Sequence, residues 1–232
     1  MYKNVKNIAH KGYSGIYPEN TELAFLKARE KGFDGAETDV HITADGQFIL
    51  NHDSEVRFAD GTVLIAEETD LATLLSKPIK NDTTEDEVYV CTFRRYLEIM
   101  RDGGMICFVE IKSHLNEKQI KDIYDLMNEV YSLDKCIVQS FDFDNLALSR
   151  QYVPDIPIML THGMGERHLG YERCFEGGFS IDVDYNILDD EMINAFHSRG
   201  LEVGVWTVND IDAYNRLREM DIDYIESDYF CN

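Results

Sequence analysis

Short runs of β-branched or aromatic residues alternate with helical stripes along almost the whole chain, and this alternation leaves few folds open, because repeated βα units build a parallel sheet. The strand candidates are Asn7–His10, Ala36–Val40, Ile106–Ile111, Cys136–Gln139, Ile158–Thr161, Phe179–Val183, Glu202–Trp206 and Tyr224–Ser227. Between them Ile120, Ile123, Tyr124, Met127 and Tyr131 recur at i, i+3, i+4, i+7 and i+11, and Phe93, Tyr96, Leu97 and Met100 form a second stripe. Such stripes predict amphipathic helices covering a sheet. Eight units in 232 residues predict an α/β protein of the (β/α)₈ TIM-barrel type, whose chemistry sits at the C-terminal ends of its strands. One domain is expected over residues 1–232.

One segment breaks the rhythm. Gln47–Asn51 reads as a further strand, yet it follows Val40–Thr43 through Ala44-Asp45-Gly46, a hairpin signal with no room for a crossover helix. It should run antiparallel and set Asp39 roughly opposite His52. Residues 41–91 then form a small insertion after the second barrel strand, in which the polar run at 80–87 is a solvated loop.

Glu37 and Asp39 are two apart on a strand and so share a face; Glu110 and Lys112 stand in the same relation on the next barrel strand. Facing inward without compensation, these carboxylates would be expensive to desolvate, and a hard divalent cation, Mg²⁺ or Ca²⁺ with Mn²⁺ a further candidate, satisfies three of them at once. Lys112 can pair with a carboxylate or meet a phosphate oxygen. The competing arrangement is an internal ion-pair cluster without metal. His10 and His52 fall at strand ends beside these acids, where one imidazole can activate an attacking oxygen and the other protonate a leaving alkoxide. Metal-assisted phosphodiester cleavage needs this set of groups. Of the other histidines, His162 and His114 lie near strand ends and are weaker candidates for substrate contact, while His41, His168 and His197 read as surface groups.

Charge narrows the partners. With 44 acidic and 22 basic residues, a formal charge of −22 disfavours nucleic acid and anionic membrane surfaces, and a local cation must reverse the field for an anionic substrate. The start MYKNVKNIAHKG leaves no space for a signal segment, and no apolar stretch reaches the roughly 18 residues of a membrane span, so no stable membrane insertion is expected. Cys91, Cys107, Cys136, Cys174 and Cys231 are odd in number and lack a CxxC pair, which predicts reduced, mostly buried thiols in a cytoplasmic protein.

The sequence resembles the glycerophosphodiester phosphodiesterase family. HKG at 10–12, PENT at 18–21, ETDV at 37–40, DG at 45–46, HD at 52–53, EIK at 110–112, QSFD at 139–142, VWTVN at 205–209 and ESD at 226–228 occur in family order across nearly the whole chain. The resemblance implies that His10 and His52 are the acid-base pair, that Glu37, Asp39 and Glu110 bind the divalent metal, and that Lys112 helps hold the phosphate. It further implies hydrolysis of a small-molecule glycerophosphodiester to glycerol 3-phosphate and an alcohol; cleavage of lysophospholipids and a catalytically weak phosphodiester-binding protein are the alternatives. Where the family usually reads HRG this chain has Lys11, which lacks the two-pronged grip of a guanidinium on phosphate. Phe141 and Trp206 offer apolar walls to the glycerol or alcohol, Gln139 and Asn209 are candidate polar contacts, and Asp228 fixes the last strand. Asn20 or Thr21 should cap the first helix, and Glu19 is a candidate brace for the site.

Overall fold

In the computed structural model, which describes residues 5–165 and 170–231, the strand candidates become a closed ring. His168 lies outside the described residues. In chain order the elements are β1 Lys6–Ala9, α1 Glu22–Lys31, β2 Gly35–Ile42, β3 Phe48–Leu50, β4 Glu55–Arg57, β5 Val63–Ile65, α2 Leu71–Leu74, β6 Cys91–Thr92, α3 Phe93–Gly103 and β7 Ile106–Ile111. They continue with α4 Glu117–Val130, β8 Cys136–Ser140, α5 Phe143–Tyr152, β9 Ile158–His162, α6 Arg173–Gly177, β10 Ser180–Asp184, α7 Asp190–His197, β11 Val203–Trp206, α8 Ile211–Leu217 and β12 Tyr224–Ser227. Eight parallel strands run β1-β2-β7-β8-β9-β10-β11-β12 and close by pairing β12 with β1. All eight expected strands are found, two with the expected bounds and the others with ends moved by at most two residues.

Local chemistry sets the helix ends. Thr21, not Asn20, caps α1 by accepting the Ala24 N–H, and Asn116 with Gln119 forms a reciprocal capping box at α4. Both expected stripes face inward: Ile120, Ile123, Tyr124 and Met127 on α4, and Phe93, Tyr96, Leu97 and Met100 on α3, are buried. Tyr96 also donates to the Ala36 carbonyl at 2.7 Å, tying α3 to β2.

Inside the ring, alternation puts Ile8, Phe108, Ile137, Met159 and Tyr224 in one apolar cluster. Two residues further along those strands stand His10, Glu110, Gln139, Thr161 and Glu226. The lumen therefore changes from hydrocarbon to ionisable groups within one repeat of the strand pleat, and that change places the site at the C-terminal end.

Between β2 and α3 lies the insertion. β3 turns back antiparallel on β2 with Val40 opposite Leu50 and Ile42 opposite Phe48, so Asp39 lies opposite Asn51, one residue short of His52. The expected register was off by that single step. β4 and β5 form a two-stranded sheet over a separate small core of Ile49, Val56, Phe58, Ala66, Leu74 and Val90. Each large side chain buried there stabilises by about 1.5–3 kcal/mol, enough to give the segment a shape of its own. All five cysteines are free and four are buried. Among the described residues no helix is long and apolar enough to cross a membrane.

Candidate active site

Parallel register brings Asp39 of β2 directly beside Glu110 of β7, with Glu37 two residues earlier on the same face. One carboxylate oxygen from each of Glu37, Asp39 and Glu110 lies within 4.8 Å of the others, and all three residues are buried. Burial, reinforced by the neighbouring acids, pushes Glu37 well above the usual carboxylate range and Glu110 up to about 7. Lys112 Nζ offsets part of this charge at 3.0 Å from Glu110 and 3.4 Å from Asp39. Burial lowers the Lys112 pKa, but those two carboxylates outweigh it and the net shift is upward.

Asn20 has a different task from the expected helix cap. Its backbone is left-handed (φ 56°), a conformation asparagine tolerates, and its amide donates to Asp39 Oδ2 at 2.7 Å while its carbonyl oxygen accepts from Thr38 Oγ1 and the Asp39 N–H. Asp39 is thereby fixed in orientation. Glu37 Oε2 accepts the Lys11 N–H at 2.9 Å, whereas Glu37 Oε1 is buried without a partner. A fully buried, unpartnered carboxylate oxygen beside two more carboxylates fits a hard cation, which oxygen donors of this kind hold.

His10 follows β1 directly, and its N–H is held by the Ser227 carbonyl at 3.0 Å. Its Nδ1 lies 2.7 Å from Asp228 Oδ1, which also accepts from Ser14 Oγ, while Asp228 Oδ2 accepts from Asn209. Burial raises the Asp228 pKa, but the His10 contact and these donors outweigh it and leave the carboxyl below its ordinary value. His10 Nε2 remains as the atom presented to the mouth, 3.4 Å from Thr207 Oγ1. The turn that sends the chain on from His10 needs Gly12: its φ is 78°, and a Cβ there would meet the Ala24 side chain at 2.8 Å. Lys11 Nζ reaches Glu19 Oε2 at 2.5 Å, so Glu19 braces the lysine.

His52 stands at the other side of the mouth on the insertion, with its side chain 46% exposed and Nδ1 2.9 Å from Asp53 Oδ1. When protonated, His52 would ease the ionisation of Glu110, the weakest of the influences on that carboxyl. A cavity of about 390 Å³ opens beside it, lined by Tyr17, Glu19, Asn51, His52, Asp53 and Asp82 among others. Phe141 and Trp206 meet edge to face at 5.8 Å, and Lys112 Nζ lies 5.9 Å from the Phe141 ring centre. His10, Lys11, Glu37, Asp39, His52, Glu110, Lys112, Phe141 and Trp206 therefore lie in or around one barrel mouth.

Other residues depart from expectation. Gln139 is buried and donates to Glu226 while its own Oε1 has no partner, and the Asn209 amide donates to Asp228. His41, expected at the surface, is buried, and so is His162. His162 alternates with the inward Met159 and Thr161 and so points toward the helices, away from substrate. His114 is exposed and paired with Asp142, while His197, half-buried, bonds Asp223. Sequence reasoning missed Glu226, which with His10 and Glu37 forms a second close group of ligand atoms, and Asp182, whose two oxygens are buried without a partner. Gly204 makes room for Asp182, since a Cβ there would lie 2.7 Å from its Oδ1. The signal was present as Asp182-Val-Asp184 and Glu226-Ser-Asp228, acids two apart at strand ends like Glu37 and Asp39.

Residues 10–230 match the model of the glycerophosphoryl diester phosphodiesterase family. A glycerophosphodiester phosphodiesterase from Caldanaerobacter subterraneus subsp. tengcongensis is 28% identical over 229 residues, covering 95% of this chain and 93% of the relative. The human glycerophosphodiester phosphodiesterase 1 is 28% identical over 245 residues, covering 90% of this chain and 73% of its own. Among solved structures, a Thermotoga maritima glycerophosphodiester phosphodiesterase superposes with a TM-score of 0.78 at 25% identity, covering 98% and 96% of the two chains. An Oleispira antarctica phosphodiesterase in complex with the product sn-glycerol-3-phosphate gives 0.84 at 23% identity, covering 97% and 93%.

Proposed function

Because this chain belongs to the glycerophosphoryl diester phosphodiesterase family, we propose that its barrel mouth hydrolyses glycerophosphodiesters to glycerol 3-phosphate and an alcohol, using a divalent cation and two histidines. The chain is an enzyme, a phosphoric diester hydrolase. The observation that carries the finer reading is the convergence of Glu37, Asp39 and Glu110 within 4.8 Å, with one Glu37 oxygen buried and unpartnered. Those three would hold Mg²⁺, Ca²⁺ or Mn²⁺, and Asn20 keeps Asp39 turned toward it. When bound, such an ion supplies positive charge to a non-bridging phosphate oxygen and to an attacking hydroxyl.

The chain's own groups do the rest. His10 and His52 share the proton traffic, one taking the proton of the attacking hydroxyl and the other giving one to the leaving alkoxide. In each ring the Nδ1 is engaged by an aspartate, which leaves Nε2 as the working atom. Lys112 pairs with two of the carboxylates that would hold the cation and lies where its charge can meet phosphate; Lys11, released from Glu19, offers a second ammonium. Phe141 and Trp206 wall one side for the glycerol, and the cavity beside His52 takes the alcohol. Its polar lining favours a small alcohol over an acyl chain, which supports glycerophosphodiesters above lysophospholipids.

Purified protein, stripped by a chelator and assayed on glycerophosphocholine with and without Mg²⁺, Ca²⁺ or Mn²⁺, tests this reading. Release of glycerol 3-phosphate that returns only with added cation is expected. Full turnover after verified metal removal contradicts the metal-dependent mechanism, and binding without turnover contradicts the catalytic assignment.

A further inference from the structure

His41 lies on the same face of β2 as Glu37 and Asp39, but beyond the last pairing of β2 with β7, Val40 with Ile111. Only 4% of it is exposed. Its Nδ1 is 2.7 Å from Glu67 Oε1, and the same carboxylate oxygen accepts Ser113 Oγ at 2.7 Å. Ser113 Oγ in turn accepts the Ile42 N–H at 3.3 Å. On the opposite side of the ring, Nε2 lies 3.4 Å from the His52 carbonyl oxygen. One imidazole thus joins the insertion at Glu67, the segment leaving β7 at Ser113, and the loop that carries His52.

That loop is otherwise held at its flanks. The Asn51 N–H bonds the Asp39 carbonyl, the Asn51 amide bonds the carbonyls of Asp53 and Glu55, and the Ser54 carbonyl accepts the Ala66 N–H. Among the described residues, His41 alone grips the main chain of residue 52 itself. A histidine that only filled space would not place both nitrogens against oxygens, since each buried polar contact has to be matched to justify its desolvation.

We propose that His41 is a positioning residue: braced by Glu67 and Ser113, it fixes the carbonyl of residue 52 and so sets where the His52 ring stands at the barrel mouth. The inference rests on the reading in which His52 moves a proton. Its consequence is that a second part of the insertion, besides the loop that carries His52, takes part in catalysis, because Glu67 can support His41 only when residues 66–68 are in place.

A double-mutant cycle on turnover of glycerophosphocholine in saturating Mg²⁺ tests it, with His41→Ala made in the native and in the His52→Ala backgrounds. In the native background kcat should fall about tenfold or more with KM little changed, the scale of a misplaced catalytic group. In the His52→Ala background His41→Ala should cost nothing further, because the group it positions is already gone. His41→Gln, whose amide can still donate to the carbonyl, should recover most of kcat. Equal losses in both backgrounds overturn the proposal, since they mean general damage to the fold or the metal ligands. If His41→Ala does not fold, Glu67→Gln carries the same cycle with the same two outcomes. Full activity of His52→Ala alone overturns the underlying reading of His52, and that result is distinguishable because it appears before residue 41 is touched.

Discussion

His10 and His52 stand at one barrel mouth on unlike supports. His10 grows out of the closed barrel: its N–H is bonded to the neighbouring strand, and its Asp228 partner is itself held by Ser14 and Asn209. His52 rides on a hairpin outside the ring, and its Asp53 partner is the adjacent residue with a side chain 69% exposed. The first histidine inherits its position from the eight-stranded ring, where moving one rim residue means disturbing its neighbours. The second depends on the small core around Phe58 and on the His41–Glu67 contact. A barrel rim supplies rigid groups, and an insertion adds a group whose position can be tuned without rebuilding the barrel.

The largest effect should come from the region both histidines share. Glu37→Gln is expected to lower turnover by about 10³-fold, since several kcal/mol of transition-state charge stabilisation depend on the cation. Isothermal titration with Mg²⁺ should show weakened binding in the same variant, and unchanged binding would remove Glu37 from the ligand set. The two aspartates should then separate. Asp228→Asn breaks charged, largely buried hydrogen bonds and should cost roughly 10- to 100-fold in kcat. Asp53→Asn alters an exposed pair and should stay within about fivefold. Equal losses would show that the two sides are held alike.

Stability against pH sharpens the comparison next. Glu37, Glu110, Asp182 and Glu226 all lie above their ordinary values because burial and mutual repulsion penalise their charges, with Glu110 at about 7. A folded-state pKa above the unfolded one means the native protein holds more protons in the interval between them. That stability is complete below the unfolded value and is lost as pH rises through the folded one. The chelated protein should therefore melt at a lower temperature at about pH 8 than at about pH 5, and saturating Mg²⁺ should flatten the slope. A chelated protein that gains stability over this range would contradict the assignment. Smallest is the effect of Lys11→Arg. A guanidinium can grip phosphate with two prongs but must first leave Glu19, so KM for glycerophosphocholine should fall only about two- to threefold. Unchanged kinetics in both Lys11→Arg and Lys11→Met would show that residue 11 does not touch the phosphate.

The ring was legible because its strands carry a period of two and its helices a period near four, patterns that local sequence displays. Ala44-Asp45-Gly46 disclosed the hairpin, yet its register slipped by one because turn length, set by the Thr43 and Asp45 side-chain bonds, is a three-dimensional choice. Glu37, Asp39 and Glu110 were legible as acids two apart, or acid and lysine two apart, on strands. His41 was not: its partners Glu67 and Ser113 lie 26 and 72 residues away, so nothing beside it in the chain marks it as held. Of the two cap candidates Thr21 caps α1, while the left-handed backbone of Asn20 turns its side chain toward β2, a choice that two adjacent short polar residues do not disclose. Asp182 and Glu226 were not selected although each is two residues from a second acid, because only closure of the ring brings β10 and β12 to the same mouth as β2 and β7.

The division of labour between the two histidines is tested most directly by changing the leaving group. His10→Ala and His52→Ala are each expected to lower turnover of glycerophosphocholine by roughly 10²-fold, the scale of a positioned acid or base. On a nitrophenyl diester, whose leaving oxygen needs no proton, one variant should regain most of its activity while the other stays impaired. Equal losses for both variants on both substrates would contradict the account, because two histidines that act on different oxygens cannot respond alike to the leaving group.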